Sequence, residues 1–248
     1  MNEYINITLE NIENEHLCCA IGDPKHQFGV DSKKEWLKNR IDEGHIFRKL
    51  NARGKVFIEY APLESAWVPV KGNNYVYIYC LWVSGSFKGK GYAGELLEYA
   101  INESKNKGKS GICIISSKKK KPFLSEKKFF EHYGFNVVDT IGEYELLALQ
   151  FNGEKPSFSD AARRMTIATD VFTVYYSPQC PYVLNSINEI TQYAKEAGVS
   201  LNTVCVDSLE KAKTVPCVFN NWANFKNGKF VSNTLLNKNS FEKLLSKK

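Results

Sequence analysis

Apolar and polar positions along this chain fall into two successive arrays of strand and helix patterns. The first opens with a short strand from Tyr4 to Leu9, helical spacing at Asn14 to Ala20 and Ser32 to Glu43, and strands at Ile46 to Leu50 and Lys55 to Tyr60. In the second helix Trp36, Leu37, Arg40 and Ile41 repeat at three and four, and Asp31 or Ser32 offers a cap for the first turn. Tyr75 to Val83 is aromatic or β-branched almost throughout, as a central strand should be. Leu96, Leu97, Ala100 and Ile101 then recur at helical spacing, the chain turns at Lys107-Gly108, and Gly111 to Ser116 reads as a second apolar strand. A helix around Phe129 to Tyr133 and strands at Val137 to Thr140 and Tyr144 to Phe151 complete the array.

The pattern stops after Phe151. Asn152 to Asp160 is rich in turn formers and holds Pro156, so the seam is placed there: 1–152 as one domain, 153–169 as a linker and 170–248 as a second, smaller domain. With few apolar anchors, the interval between Phe151 and Asp170 is where limited proteolysis is expected to cut first. The second array runs as a strand from Asp170 to Tyr176, a helix to about Ala197 and a strand from Ser200 to Val206. A short helix near Ser208 to Lys213 follows, then a hairpin opened by Thr214 to Phe219 that turns at Asn227-Gly228, and a last helix ending near Leu245. Both arrays are α/β, and 248 residues suffice for two modest domains.

Between the Tyr75 strand and its helix lies Ser84-Gly85-Ser86-Phe87-Lys88-Gly89-Lys90-Gly91-Tyr92-Ala93-Gly94, a loop with little side-chain bulk. Backbone N–H groups of such a loop converge on an anion and the helix dipole adds positive potential, which is the chemistry of a pyrophosphate cradle. Neither a Gly-Lys-Ser/Thr ending nor the three-glycine dinucleotide fingerprint fits. Lys88-x-x-Gly91-x-Ala93 instead resembles the Gln/Arg-x-x-Gly-x-Gly/Ala signature of the GNAT family of N-acetyltransferases, with Lys88 keeping the charge of arginine without its planar fork. The strand, loop, helix and strand around it and the later Phe129-Phe130-Glu131-His132-Tyr133-Gly134-Phe135 resemble the same family, so the likeness covers roughly residues 1 to 152. Phe57-Ile58-Glu59-Tyr60-Ala61-Pro62, Cys80-Leu81-Trp82-Val83-Ser84-Gly85, Lys118-Lys119-Lys120-Lys121-Pro122-Phe123-Leu124 and Tyr176-Ser177-Pro178-Gln179-Cys180-Pro181 resemble the smaller group with a YoaP-like C-terminal domain.

The resemblance implies a GNAT fold with a central mixed, splayed β-sheet and acetyl-CoA as acetyl donor, leaving CoA as product. It places Leu81, Trp82, Val83, Lys88, Gly89, Lys90, Gly91, Tyr92 and Ala93 against that cofactor, with a backbone N–H of Leu81 or Trp82 polarising the thioester carbonyl. The first two helices would wall the acceptor site. The family's usual tyrosine acid falls on Phe130, which leaves Tyr133 and His132 nearby, and Glu59, Glu64 or Tyr77 as candidate bases. The acceptor is an unidentified small-molecule or peptide amine.

In the second array the element order resembles a minimal thioredoxin-like fold. Cys180-Pro181-Tyr182-Val183 resembles the glutaredoxin Cys-Pro-Tyr-Cys turn with its second cysteine replaced, and Val215-Pro216 stands where that fold places a cis-proline. A thiol at a helix N-terminus is activated as thiolate, whereas a degenerate module would hold Cys180 merely as a small buried residue; Cys217 is an unorthodox alternative partner. Two other readings therefore stand beside acetyl transfer: a thiol-linked enzyme or thiol-binding protein using Cys180, with CoA as a bound ligand, and an assembly protein keeping CoA structurally. Cys180 is expected to be the most alkylation-sensitive of the seven thiols, with Cys80, Cys113 and Cys205 shielded on apolar strands and Cys18 and Cys19 as rivals.

Charge adds little. The net +6 has its densest source in Lys118 to Lys121, either a solvated loop or a partner for coenzyme phosphates, and no broad basic face with stacking aromatics suggests nucleic acid. Cysteine and histidine spacings suggest no metal site, no apolar run approaches a membrane span, and the polar start is unlike a signal peptide. A cytoplasmic protein is expected, with no reading of oligomeric state.

Overall fold

The structure, a computed structural model, describes residues 3–17, 20–121 and 123–246. The first array forms β1 (Tyr4–Asn6), α1 (Gln27–Ile41), β2 (Ile46–Leu50), β3 (Val56–Pro62), the short β4 (Val70–Lys71), β5 (Tyr75–Val83), α2 (Tyr92–Asn106), β6 (Gly111–Ser117), α3 (Lys127–His132), β7 (Asn136–Ile141) and β8 (Tyr144–Gln150). Seven of these strands make one sheet in the order β1-β2-β3-β5-β6-β8-β7. All neighbours in it are antiparallel except β5 and β6, which the α2 crossover makes parallel. Strand alternation divides the sheet cleanly: Val56, Ile58, Tyr60, Val76 and Ile78 face α2 and α3, while Phe57, Ala61, Tyr75, Tyr77 and Tyr79 face the opposite side.

Two expected helices differ. Asn14 to Ala20 forms no helix among its described residues; turns run over 9–14, and Cys18 and Cys19 lie outside the described residues. Asn11 explains the turns, because its Oδ1 accepts from the Thr8 N–H at 2.8 Å while its Nδ2 donates to the Asn6 carbonyl at 3.0 Å, offering the backbone an alternative to a helix. Helix α1 starts at Gln27 rather than Ser32, because Asp23 caps a 3₁₀ turn at Pro24–His26 that leads straight into it. Neither Asp31 nor Ser32 is a cap. The early turns escaped the apolar pattern because Phe28 is 66% exposed there.

The segment expected as a linker is stitched down. β9 (Ser157–Phe158) pairs with β4, Phe158 and Ala162 are completely buried, and the Ile167 N–H donates to the Gly228 carbonyl at 2.8 Å. Only 152–155 form an exposed run before Pro156 is buried, so the physical basis for a wide cleavable seam shrinks to those four residues.

Beyond it come β10 (Phe172–Tyr176), α4 (Val183–Ala197), β11 (Leu201–Cys205), α5 (Leu209–Thr214), β12 (Trp222–Lys226), β13 (Lys229–Ser232) and α6 (Lys238–Ser246). They build a four-stranded sheet in the order β11-β10-β12-β13, parallel only between β10 and β11. The hairpin is β12/β13; the expected strand at Thr214 to Phe219 is instead irregular, its Val215, Cys217, Val218 and Phe219 driven into the core. Among the described residues no peptide bond is cis, Val215–Pro216 included.

One apolar core runs without a break from the Tyr77 face of the large sheet to Val206, Val215, Phe219 and Phe225 of the second array. Lys213 adds a polar tie across it, its Nζ donating to the carbonyls of Leu63 at 2.6 Å and Val70 at 3.2 Å. Burial brings the Lys213 ammonium down from 10.5 to about 8. Between these two values the unfolded chain binds the extra proton, so this group makes stability rise with pH over that window. Urea unfolding at pH 7.5 and 9.5 is expected to show the stability gap between wild type and Lys213→Met moving in favour of the wild type as pH rises through about 8.

Candidate active site

Strands β5 and β6 pair only where Tyr75, Val76 and Tyr77 meet Gly111, Ile112 and Cys113. Past that point β5 stays on β3 as far as Val83 and β6 stays on β8 as far as Ser117, so the two strands part like the arms of a V. A bulge marks the start of the opening: Glu59 pairs with Cys80 and Tyr60 with Ile78, leaving Tyr79 as the extra residue of β5. Burial of β5 changes at the same place, from Tyr75–Tyr79, all buried, to half-buried Cys80 and Leu81 and exposed Trp82.

The glycine loop follows the outer arm. Gly85, Gly89 and Gly91 all have left-handed φ angles, and Gly91 is the residue from which α2 begins, with no side chain capping the helix. A Cβ at any of the three would meet nothing within 4 Å, so the loop surface stays open to an approaching anion. Phe87 anchors it by lying on Gly54, where a Cβ would come within 2.4 Å of the ring. Because β5 and β6 are parallel, Lys118 to Lys121 leave β6 at the same end of the sheet. Lys120 reaches the cavity described next and pairs with Glu126 at 3.3 Å, while Lys121 lies over the Tyr144 ring.

A cavity of about 750 Å³ opens beside the free half of β5, across from the segment that follows β6. Its sheet side comes from β3 and the free half of β5, and α1 supplies Lys33. Ala93 of α2 reaches one edge, Phe129 and Phe130 of α3 another, and Gln179, Cys180, Pro181, Tyr182, Asn220 and Leu235 of the second array close the far side. Its floor is a fully buried polar network. Lys33 Nζ donates to both Glu59 oxygens at 2.8 Å and to the Gln179 carbonyl at 2.8 Å; His45 Nε2 donates to Glu59 Oε1 at 2.9 Å and Gln179 Nε2 to Oε2 at 3.0 Å. Burial alone raises a carboxyl, but the Lys33 ammonium and the His45 hydrogen bond outweigh it and hold Glu59 below the usual range. Burial pushes the His45 imidazolium down, so His45 sits neutral, its ring 5.1 Å from Trp36 and 4.9 Å from Tyr79.

The candidate residues are therefore distributed unequally. Leu81, Trp82, Val83, Ala93, Glu59 and Cys180 share the cavity. Lys88, Gly89, Lys90 and Gly91 lie on the loop beside it, and Tyr92, the first residue of α2, packs edge-on to Phe87. Tyr77 is sealed below the floor, its hydroxyl donating to Asn220 Oδ1 at 3.3 Å and its phenol pushed well up by burial, which removes it from proton exchange with the cavity. The Tyr133 hydroxyl packs against Gly94 in the first turn of α2, outside the cavity lining, and Phe130 occupies the lining instead. Glu64 is exposed and accepts from the Asn74 N–H. Lys33, His45 and Gln179 escaped the sequence reading, although Lys33 falls on the buried stripe Gly29, Lys33, Trp36, Leu37 and Glu59 interrupts an apolar strand. A charge on each of two buried faces is the signal of a pair.

The thiols need two corrections, for Cys80 and for Cys205, which is half-buried on the largely exposed strand β11 rather than shielded. Cys80 is half-buried and lines the cavity with Cys180, because β6 departs just where Cys80 would otherwise be covered, whereas Cys113 and Cys217 are completely buried. Cys180 lies just before the helix, its carbonyl accepting from the Val183 N–H at 3.2 Å. Peptide-resolved iodoacetamide labelling of the native protein is expected to modify Cys180 and Cys80 and to spare Cys113 and Cys217, whose thiols burial also pushes up.

No helix among the described residues is long and apolar enough to cross a membrane. The Acetyltransferase (GNAT) family profile matches residues 9–135, and the YoaP-like profile matches residues 201–243. The uncharacterized N-acetyltransferase YoaP of Bacillus subtilis (strain 168) is 42% identical over 246 residues, 98% of each chain. Similar solved structures include a GNAT family acetyltransferase from Brucella melitensis in complex with acetyl-CoA, 13% identical, covering 64% of this chain and 94% of that one at a TM-score of 0.41. Another is the PaiA N-acetyltransferase from Thermoplasma acidophilum in complex with coenzyme A, 17% identical, covering 61% and 99% at a TM-score of 0.41. The chain belongs to the GNAT family of acetyltransferases and carries a YoaP-like C-terminal region.

Proposed function

We propose that this acetyltransferase binds acetyl-CoA along the glycine loop and between the parted strands, and passes the acetyl group to an amine held in the cavity. The carrying observation is that β5 and β6 separate after Tyr77 and Cys113, at the sheet end where the glycine loop opens α2. When bound, the cofactor supplies an activated acyl group. The chain's own contributions follow from its geometry. Loop and helix N–H groups hold phosphate oxygens. Ser84 N–H donates to the Lys55 carbonyl on the β3 side, so by strand alternation the N–H of Leu81, rather than that of Trp82, turns to the side β6 has left and is offered to a carbonyl. Lys33 and Glu59 fix the floor; with both oxygens engaged and its acidity enhanced, Glu59 acts as a positioning residue rather than a proton acceptor. For the second array, the strand order β11-β10-β12-β13 and the Cys180 turn ahead of α4 support a thioredoxin-like accessory module that closes the acceptor side.

Calorimetry with acetyl-CoA tests this reading. Gly91 stands at φ +84°, so any side chain costs about 1 kcal/mol of backbone strain, and Gly91→Gln isolates that cost. Gly91→Glu adds a carboxylate at the helix mouth and is expected to bind acetyl-CoA about tenfold more weakly than Gly91→Gln. Equal affinities would remove the phosphate site from Gly91. The rival thiol reading makes a different demand: Cys180→Ser would abolish an activity that Gly91→Glu leaves intact.

A further inference from the structure

The cavity's charges already have partners. Among the described residues lining it, the carboxylates are Glu59, paired with Lys33 at 2.8 Å, and Glu126, paired with Lys120 at 3.3 Å. Each negative charge is matched by a lysine lining the same space. At the buried end of the cavity an arriving ammonium group would give up its water and find Glu59 already engaged, Glu126 lying at the exposed mouth, a cost that an uncharged amine avoids. Beside Ser125, Gln179, Asn220 and Asn221 the remaining walls are mostly apolar and rich in rings, with Phe57, Phe129, Phe130 and Tyr182 joined by Leu81 and Leu235. The volume of about 750 Å³ must also admit the thioester end of the cofactor, because Leu81, Trp82, Val83 and Ala93 line the same space, so what is left for the acceptor suits a small molecule. On the acceptor side the Cys180–Pro181 turn lies in direct backbone contact with α1 at Gly29, which holds this wall of the cavity in place.

Building on acetyl transfer as the reaction, we infer that the acceptor is a small, weakly basic amine with a flat apolar body, taken up uncharged, and that the C-terminal region supplies the wall that selects it. An amine of this class reaches the site with its nitrogen lone pair available, so no side chain must first remove a proton from an ammonium. The transfer joins nitrogen to the acetyl carbon and breaks the carbon–sulfur bond with its electron pair on sulfur. The proton shed by nitrogen goes to the departing thiolate, giving an amide and free coenzyme A. This also fits a cavity in which Phe130 stands at the position where the family usually has a tyrosine acid, and in which Glu59 is already engaged.

The isomers p-toluidine and benzylamine test the inference, because they contain the same atoms but near neutral pH the first is uncharged and the second a cation. Calorimetry on the full chain in the presence of coenzyme A is expected to give p-toluidine an affinity about tenfold higher or more. With acetyl-CoA, mass spectrometry is expected to find acetylated p-toluidine in excess over acetylated benzylamine and over an acetylated tripeptide with a free amino terminus. Benzylamine or the tripeptide binding or reacting as well as p-toluidine overturns the proposal. So does a protein that binds acetyl-CoA but neither binds nor acetylates p-toluidine, an outcome that leaves acetyl transfer standing. Failure to bind acetyl-CoA at all overturns the functional reading beneath it.

Discussion

Glu59→Ala is expected to lower the free energy of unfolding by about 3–5 kcal/mol, the usual cost of stranding one member of a buried ion pair. The carboxylate is fully buried and receives four hydrogen bonds from Lys33, His45 and Gln179. Without it, the Lys33 ammonium keeps only the Gln179 carbonyl of these partners inside an apolar setting, beside the rings of Trp36 and Phe47. Replacing both charges, as in Lys33→Met with Glu59→Met, removes two desolvation costs together and is expected to restore most of that loss. Urea denaturation of the two single variants and the double variant measures the coupling. Additive losses would show that the pair does not act as a unit.

Gly29→Ala is expected to destabilise the protein by about 2 kcal/mol and to pry the Cys180 turn away from α1. A Cβ at position 29 would lie 1.9 Å from the Pro181 carbonyl oxygen and 2.8 Å from its carbon, both backbone atoms that no rotamer change can move aside. Exchanging glycine for alanine inside a helix normally gains up to about 1 kcal/mol. Overpacking costs about 1–3 kcal/mol and sits at the high end when backbone must shift, so the clash outweighs the helical gain. Lower thermal stability together with faster alkylation of Cys180 is the expected pair of readouts. A stability equal to or above wild type would mean that the turn does not rest on α1.

Much of this architecture could be read from side-chain periodicity. Tyr75–Val83 was bounded correctly because nine consecutive strand formers end at a serine and a glycine, and α4 because its apolar positions repeat up to Gly198. The glycine loop was legible for the same reason, its backbone demands being written directly as glycines. What escaped involves partners distant in sequence. Lys33, Glu59 and Gln179 meet across 146 positions, and nothing local to any of them announces the other two. The Thr214 to Phe219 segment misled because burial by tertiary contact and burial in a strand select the same residues. The seam misled in the opposite sense: turn formers around Pro156 concealed a two-residue strand and the buried Phe158.

The unbroken core has a consequence for biosynthesis. The Tyr77, Tyr79, Cys113, Ile115, Tyr144 and Leu146 face of the large sheet is covered by residues as late as Phe225. A nascent chain that has emerged only as far as Phe151 holds every strand of that sheet but nothing from the second array to lay over it. Until β12 is made, the half-finished molecule displays a broad aromatic and aliphatic surface of the sort that draws chaperones or a second copy of itself. A fragment ending there inherits this stickiness permanently, and the tail of the chain acts on the head as a built-in cover for its last exposed face.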